Sequence, residues 1–214
     1  MALSEWQVFK SDLMSKATID TRSPIAGGGS LILSDNGATN PQIVLLRSVL
    51  AERGFLSAKM RSIFRIDNID GAGVGFVFML DQLDITGTSG NFYGLFVGQA
   101  LTDGVNKLML AKYLDGMKSA YTTLIYSENY NPVGVFALEV EWASDLGTLS
   151  GTRITIRRSS PSIDNVDFNN MITVYSTIDT TNPLLVSQGE GIAYHNVFDG
   201  TNKFTLDKSS MIKV

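Results

Sequence analysis

The sequence predicts an all-β fold, a two-sheet antiparallel sandwich, and three observations predict it. Residues 134–145 alternate strictly: Phe136, Leu138, Val140 and Trp142 take one face and Ala137, Glu139, Glu141 and Ala143 the other. That period of two marks a strand with one face buried and one wet. Strand-like runs recur about every 10–15 residues with Gly, Asp and Asn between them, the rhythm of a sandwich. Asp outnumbers Glu, and Ser and Thr are abundant, a balance that favours turns and strands over helices.

In chain order, the first candidate strands are Ser30–Ser34 and Gln42–Leu46. Ala58 to Ile66 sets Met60, Ser62, Phe64 and Ile66 against Arg61, Ile63 and Arg65. Three runs are apolar on both faces: 75–80, 93–97 and 107–111. Short continuous apolar runs bounded by turn residues predict strands covered on both sides, the outer cover being a loop or another subunit. Tyr121–Ser127 follows, then the strand at 134–145. A Gly-containing link, 145–151, leads into Arg153–Arg157 as a hairpin. Met171–Ser176, Leu184–Ser187, Ile192–Val197 and Phe204–Leu206 complete the set. Two segments compete as helices, Trp6–Ala17 and Ile43–Arg53, because Trp6, Phe9, Leu13 and Met14 fall at helical spacing, though Trp6–Ala17 reads equally as a β arm. Ser23-Pro24 and Gly27–Gly29 divide the chain into a short N-terminal arm, residues 1–24, and a sandwich domain, residues 25–214. The arm is too apolar to float free, which makes Trp6, Phe9, Leu13 and Met14 candidate subunit contacts; the rival is that the arm folds back over its own sandwich, across the strands at Phe76 and Phe96.

Composition excludes several classes of function. The chain has 214 residues, 44% apolar and 18% charged, with a net charge of −4. Low charge and high apolar content exclude intrinsic disorder. The acidic balance offers no field for a phosphate backbone, so no nucleic-acid partner is expected. Cysteine is absent and His195 is the one histidine. Disulfide frameworks, thiolate zinc sites, cysteine nucleophiles and two-histidine metal sites are excluded by counting. No apolar run approaches the roughly 20 residues of a membrane helix. The opening Met-Ala-Leu-Ser-Glu-Trp-Gln lacks the charged start and apolar core of a signal peptide, so folding in a cytoplasm is expected.

The order of segments is similar to that of concanavalin A-like jelly rolls. Residues 25–31, with Gly27–Gly29, resemble their opening strand. Gly73–Phe78 and Asn91–Val97 resemble their central paired strands, Phe136–Trp142 with Thr152–Ile156 their late hairpin, and Gly189–Ala193 with Phe204–Leu206 their closing strands. The resemblance spans roughly residues 25–214 and implies a jelly-roll sandwich of the kind found in lectins, glycoside hydrolases and bacteriophage structural proteins.

Each candidate site has a plainer rival. Glu139 and Glu141 share one strand face, and retaining glycosidases need two carboxyls about 5–5.5 Å apart. Glycosidases of the resembling fold carry three acids at alternating positions, whereas here the third position is Ala143. The expectation is therefore no enzyme and no catalytic residue, the two acids decorating a solvated strand face. Asp67–Gly71 and Asp164–Asn170 carry oxygen ligands suited to Ca²⁺ but not the spacing of a calcium loop. They read as turns, and no metal or cofactor is assigned. Neither Gly27–Gly29 nor the Gly71/Gly73/Gly75 series opens a helix with Lys, so neither is a phosphate cradle. Tyr126 and Tyr130, with Asn131, flank a loop and form the candidate carbohydrate site, since sugars stack on ring faces. Arg153, Arg157 and Arg158 cluster by a hairpin, as a solvated face or a subunit contact.

The main reading is a non-enzymatic virion structural protein of a bacteriophage, a capsid decoration or a tail or fibre component. It would be assembled in the host cytoplasm and act by packing on other virion subunits as a homo-oligomer. The alternative is a carbohydrate-binding, lectin-like module, whose partner would be a host surface glycan. A glycoside hydrolase is the third reading.

Overall fold

The computed structural model describes residues 6–8, 17–20, 30–34, 42–48, 54–66, 72–81, 90–99, 105–114, 122–132, 134–145, 147, 150–161, 166–196 and 203–214. The chain is all-β. Fourteen strands are described: β1 Trp6–Val8, β2 Ala17–Asp20, β3 Ser30–Ser34, β4 Gln42–Ser48, β5 Ser57–Ile66, β6 Ala72–Leu80, β7 Phe92–Gln99, β8 Asn106–Tyr113, β9 Thr123–Asn129, β10 Gly134–Asp145, β11 Gly151–Arg158, β12 Ile172–Asp179, β13 Gly189–Asn196 and β14 Lys203–Lys213. One turn of 3₁₀ helix spans Phe168–Asn170. Among the described residues no helix is long and apolar enough to cross a membrane.

The strands form two antiparallel sheets. One runs β1-β4-β13-β6-β7-β8-β9, the other β12-β11-β10-β5-β14-β3-β2. The alternation read in residues 134–145 is the centre of the second sheet. Phe136, Leu138, Val140 and Trp142 are all buried, and β10 pairs with β5 in a register that sets Phe136 opposite Phe64 and Val140 opposite Met60. Rings close the gap between sheets: Phe64 lies 5.6 Å from Phe76, and Trp142 stacks on Phe78 at 5.0 Å. The indole N–H of Trp142 donates to the Phe55 carbonyl at 3.0 Å, so its one polar group is satisfied inside.

In the first sheet β6 and β7 are covered on both faces, as their continuous apolar runs predict, while β8 is covered only in part, with Met109 half-buried. Phe76 and Phe78 join the core, while Val77, Phe92 and Phe96 are buried on the other face. There Tyr113 stacks flat on Phe92 at 4.7 Å and meets Phe96 edge-on. Gly75 is required by close approach, since a Cβ there would run into the Leu95 carbonyl of the paired strand. Met79 adopts φ 55°, which breaks the alternation and brings both Phe78 and Met79 into the core.

The structure decides between several expectations. Trp6–Ala17 is no single helix: Trp6–Val8 pairs with β4, and Ala17–Asp20 pairs with β3. Residues 6–8 and 17–20 of the segment read as an arm thus supply an edge strand to each sheet. Trp6 sits in β1; Phe9, Leu13 and Met14 lie outside the described residues. Of the two readings offered for this stretch, the strand at Gln42–Leu46 holds as β4, because β13 lies beside it and completes its ladder. Leu184–Ser187 is not a strand. The backbone N–H and C=O of Leu184 are met instead by the Tyr93 and Thr152 hydroxyls.

Candidate functional site

Three groupings of polar side chains come from this framework. The first is the pair Glu139 and Glu141. Both point away from the core on β10, where the register sets Glu139 between Arg61 and Arg157, and Glu141 between Lys59 and Thr155. The Arg157 guanidinium donates to Glu139 and, at 3.3 Å, to Glu141. Lys59 Nζ lies 3.1 Å from Glu141 and 3.7 Å from Glu139. Partial burial raises the Glu141 carboxyl, but hydrogen bonds and charge from Lys59 and then Arg157 outweigh it, leaving Glu141 below the usual carboxylate range. A general acid for glycoside cleavage needs a carboxyl driven upward, so the shift at Glu141 runs against that role. Nearby, the Arg61 guanidinium lies 4.4 Å over the Phe168 ring and holds the 3₁₀ turn against this face. In that turn Asp167 accepts from the Asn169 backbone and, at 3.2 Å, from its side chain. Its carboxylate therefore works as a cap. Asp67–Gly71 lies outside the described side chains.

The second grouping lies where β9 and β12, the last strands of the two sheets, run side by side. Tyr126 is half-buried and stacks on Tyr175 across the two sheets at 4.3 Å. Burial, followed by the charge of Glu128, pushes its phenol up. Glu128 is gripped by Arg158 in a two-pronged pair at 2.6 and 3.2 Å. Tyr130 is not at the surface: it is 2% exposed, donates to the Ser159 carbonyl at 3.2 Å, and is capped by the Arg158 guanidinium 4.5 Å from its centroid. With Phe136 against its edge as well, no face of Tyr130 is open to a sugar. The two-ring platform expected from sequence reduces to Tyr126, flanked by exposed Ser127, Asn129 and Asn131. Asn131 accepts from the Asn106 side chain at 2.8 Å. The three arginines do not act as one cluster: Arg157 meets the glutamates, Arg158 spans the sheets, and Arg153 is exposed.

The third grouping was not found in the sequence. Lys112 is 3% exposed and spends its three protons on Asp179 at 2.7 Å, Thr181 O at 2.5 Å and Asn182 O at 3.1 Å. Tyr93 donates to the same carboxylate oxygen at 2.6 Å and accepts from Leu184 N at 3.1 Å. Thr152 donates to Leu184 O at 2.7 Å, and Gln188 N donates to Leu80 O at 2.6 Å. Residues 180–188 are thereby strapped across one end of the sandwich. The available signal was a lysine at an inward position of an apolar strand, following Leu108 and Leu110 at period two. His195 occupies a strand position in β13, opposite Ile43 and Gly73.

No family model matches the chain, and no curated protein matches it. Solved structures do. The marine PL-14 alginate lyase from Aplysia kurodai superposes with a TM-score of 0.62 at 9% identity, over 94% of this chain and 88% of that one. A glycoside hydrolase family 16 endo-glucanase from Bacteroides ovatus gives 0.58 at 12% identity, over 99% and 96%. The potassium-bound carbohydrate recognition domain of Emp46p gives 0.52 at 12%, over 98% and 88%. At these identities the likeness establishes the fold, a concanavalin A-like jelly-roll sandwich. Two expectations change. The statement that the chain is no enzyme does not stand, because a lyase and a glucanase share its fold end to end; no particular activity follows from that. The preference for a bacteriophage structural protein gains no support from these neighbours.

Proposed function

We propose that this chain is a carbohydrate-binding, lectin-like β-sandwich that takes its ligand beside Tyr126. The observation that carries the reading is the full-length likeness to a carbohydrate recognition domain and to two glycan-active proteins. The local geometry is compatible with it. Tyr126 is braced from behind by Tyr175, so its orientation is set before a ligand arrives. The exposed hydroxyl and amide groups of Ser127, Asn129 and Asn131 beside it supply donors and acceptors for sugar hydroxyls. A glycan array with the purified chain tests the reading, followed by titration calorimetry on the best binder. Tyr126→Ala should weaken binding at least tenfold, about 1.4 kcal/mol or more, with the melt still cooperative. An array blank across neutral and acidic glycans, or binding indifferent to Tyr126→Ala and Asn131→Ala alike, would reject it.

Polysaccharide cleavage is a second reading, favoured by the lyase and the glucanase. The lowered carboxyl of Glu141 directs a search for its chemistry away from the Glu139/Glu141 cluster. Release of new chain ends from alginate or mixed-linkage glucan, measured as reducing sugar, is the assay.

A further inference from the structure

We propose that the turn leaving β12 is a binding site for a monovalent cation, and that the Lys112 ammonium fills it in place of a free ion. Three oxygens converge on Lys112 Nζ: Asp179 Oδ2 at 2.7 Å, Thr181 O at 2.5 Å and Asn182 O at 3.1 Å. Two of them are carbonyls of successive residues, which an extended strand points to opposite sides. The turn brings them together. Asn182 takes φ 50°, in the left-handed region that asparagine enters more readily than most residues with a side chain. Asp179 Oδ1 accepts from Thr181 N at 3.1 Å, which folds the turn back over its own carboxylate.

The chemistry of this cage defines its ion. All three ligands are oxygens, the donor set of hard cations. They carry one negative charge between them, so a single positive charge balances the site and a second would be left unmatched in the interior. The distances, 2.5 to 3.1 Å, reach beyond the roughly 2.0–2.6 Å at which magnesium and calcium hold oxygen. They suit an ammonium group or an ion of its size, such as potassium.

The place of the cage in the fold gives the cation its task. Lys112 belongs to β8 in the first sheet, and Asp179 is the last residue of β12 in the second. The lysine stem, 3% exposed, carries the charge from one sheet to the other. Tyr93 of β7 donates to the same Asp179 oxygen at 2.6 Å, so the carboxylate is fixed from the first sheet twice. A free ion would leave on dilution, whereas an ammonium on a covalent stem is present at every salt concentration. Shortening that stem therefore opens the cage to ions from solution.

Hydrogen exchange of Lys112→Ala in choline, potassium, ammonium and calcium chloride at matched ionic strength tests the proposal. In choline, too large for the cage, exchange at residues 180–188 should be faster than in wild type by on the order of a hundredfold. Potassium or ammonium should reverse most of that rise, and saturably, while the wild type exchanges alike in every salt. The potassium response should vanish in Lys112→Ala/Asp179→Ala. Equal exchange of Lys112→Ala in choline, potassium and ammonium overturns the proposal, as does rescue by calcium alone or a potassium response that survives the loss of Asp179. Lys112→Met decides should the alanine variant fail to fold. It keeps an apolar stem and drops the charge, leaving no room for an ion, so residues 180–188 should exchange fast in every salt. Protection there equal to that of the wild type would count against the ammonium and sink the idea.

Discussion

Two ionic groupings in this molecule use the same chemistry in different surroundings. In the Lys59/Glu139/Glu141/Arg157 cluster, Lys59, Glu141 and Arg157 keep about a third of their side-chain surface in water. In the Lys112/Asp179 pair the exposures are 3% and 9%. The difference teaches where a salt bridge matters. At the surface, solvent screens the attraction and already solvates each partner, so losing one costs little. In the interior both charges have been taken out of water, and removing one strands the other. The buried pair also holds the 180–188 strap through Lys112 and the Tyr93 hydroxyl, so its loss would propagate along the chain.

The largest expected effect is at the buried pair. Asp179→Ala should cost about 3–5 kcal/mol, because it leaves the Lys112 ammonium buried and unpaired. Denaturant unfolding reads the loss directly, and hydrogen exchange at residues 180–188 should rise with it. A change below about 1 kcal/mol would mean that water reaches Lys112 and that the contrast between the two groupings is empty.

Tyr93→Phe should have an intermediate effect of about 1–3 kcal/mol, since it leaves Leu184 N without its acceptor and takes one donor from Asp179. It also carries a pH signature. Burial, and then the hydrogen bond to Asp179, raise the Tyr93 phenol above its ordinary value of 10.0. The unfolded chain therefore releases this proton first as pH rises, so the stability contributed by Tyr93 is whole below about pH 10 and is lost above it. The wild-type melting temperature should fall more steeply than that of Tyr93→Phe beyond pH 10. Parallel profiles would remove Tyr93 from the account.

The smallest effect is expected at the surface. Glu141→Gln should change stability by no more than about 1 kcal/mol, and less in high salt. The sign with pH is opposite to that of Tyr93. Glu141 titrates below its ordinary 4.5 in the folded chain, so its contribution is present above that value and is lost as pH falls through the lowered one. A loss at Glu141 as large as at Asp179 would show that Glu139, only 4% exposed, makes the whole cluster behave as an interior one.

Much of the fold was legible because burial writes itself into period. The β10 alternation named four core residues, and the doubly apolar runs named the strands covered on both sides. Helix and strand stayed open at Trp6–Ala17 and Ile43–Arg53 because short apolar segments satisfy either period, and β4 became a strand through the ladders its neighbours offered. The candidate site was legible only in part. Tyr126 and Tyr130 look alike in sequence, four residues apart on either side of a strand end. Arg158, Ser159 and Phe136 close over Tyr130, whereas Tyr126 keeps an open side.

By itself, then, the sequence determined the class of fold, the inward face of each strong strand and the exclusion of cysteine and two-histidine chemistry, since these depend on composition and on nearest-neighbour periodicity. The tertiary structure alone decided that Glu139 and Glu141 would be neutralised by Lys59 and Arg157, that Lys112 would find Asp179 and the carbonyls of residues 181 and 182, and that β12 would be left at an open edge. Each of these depends on which distant strands become neighbours. Charge pairing and edge exposure act through space over a few ångströms, and no local pattern along the chain encodes which partner will stand at that distance.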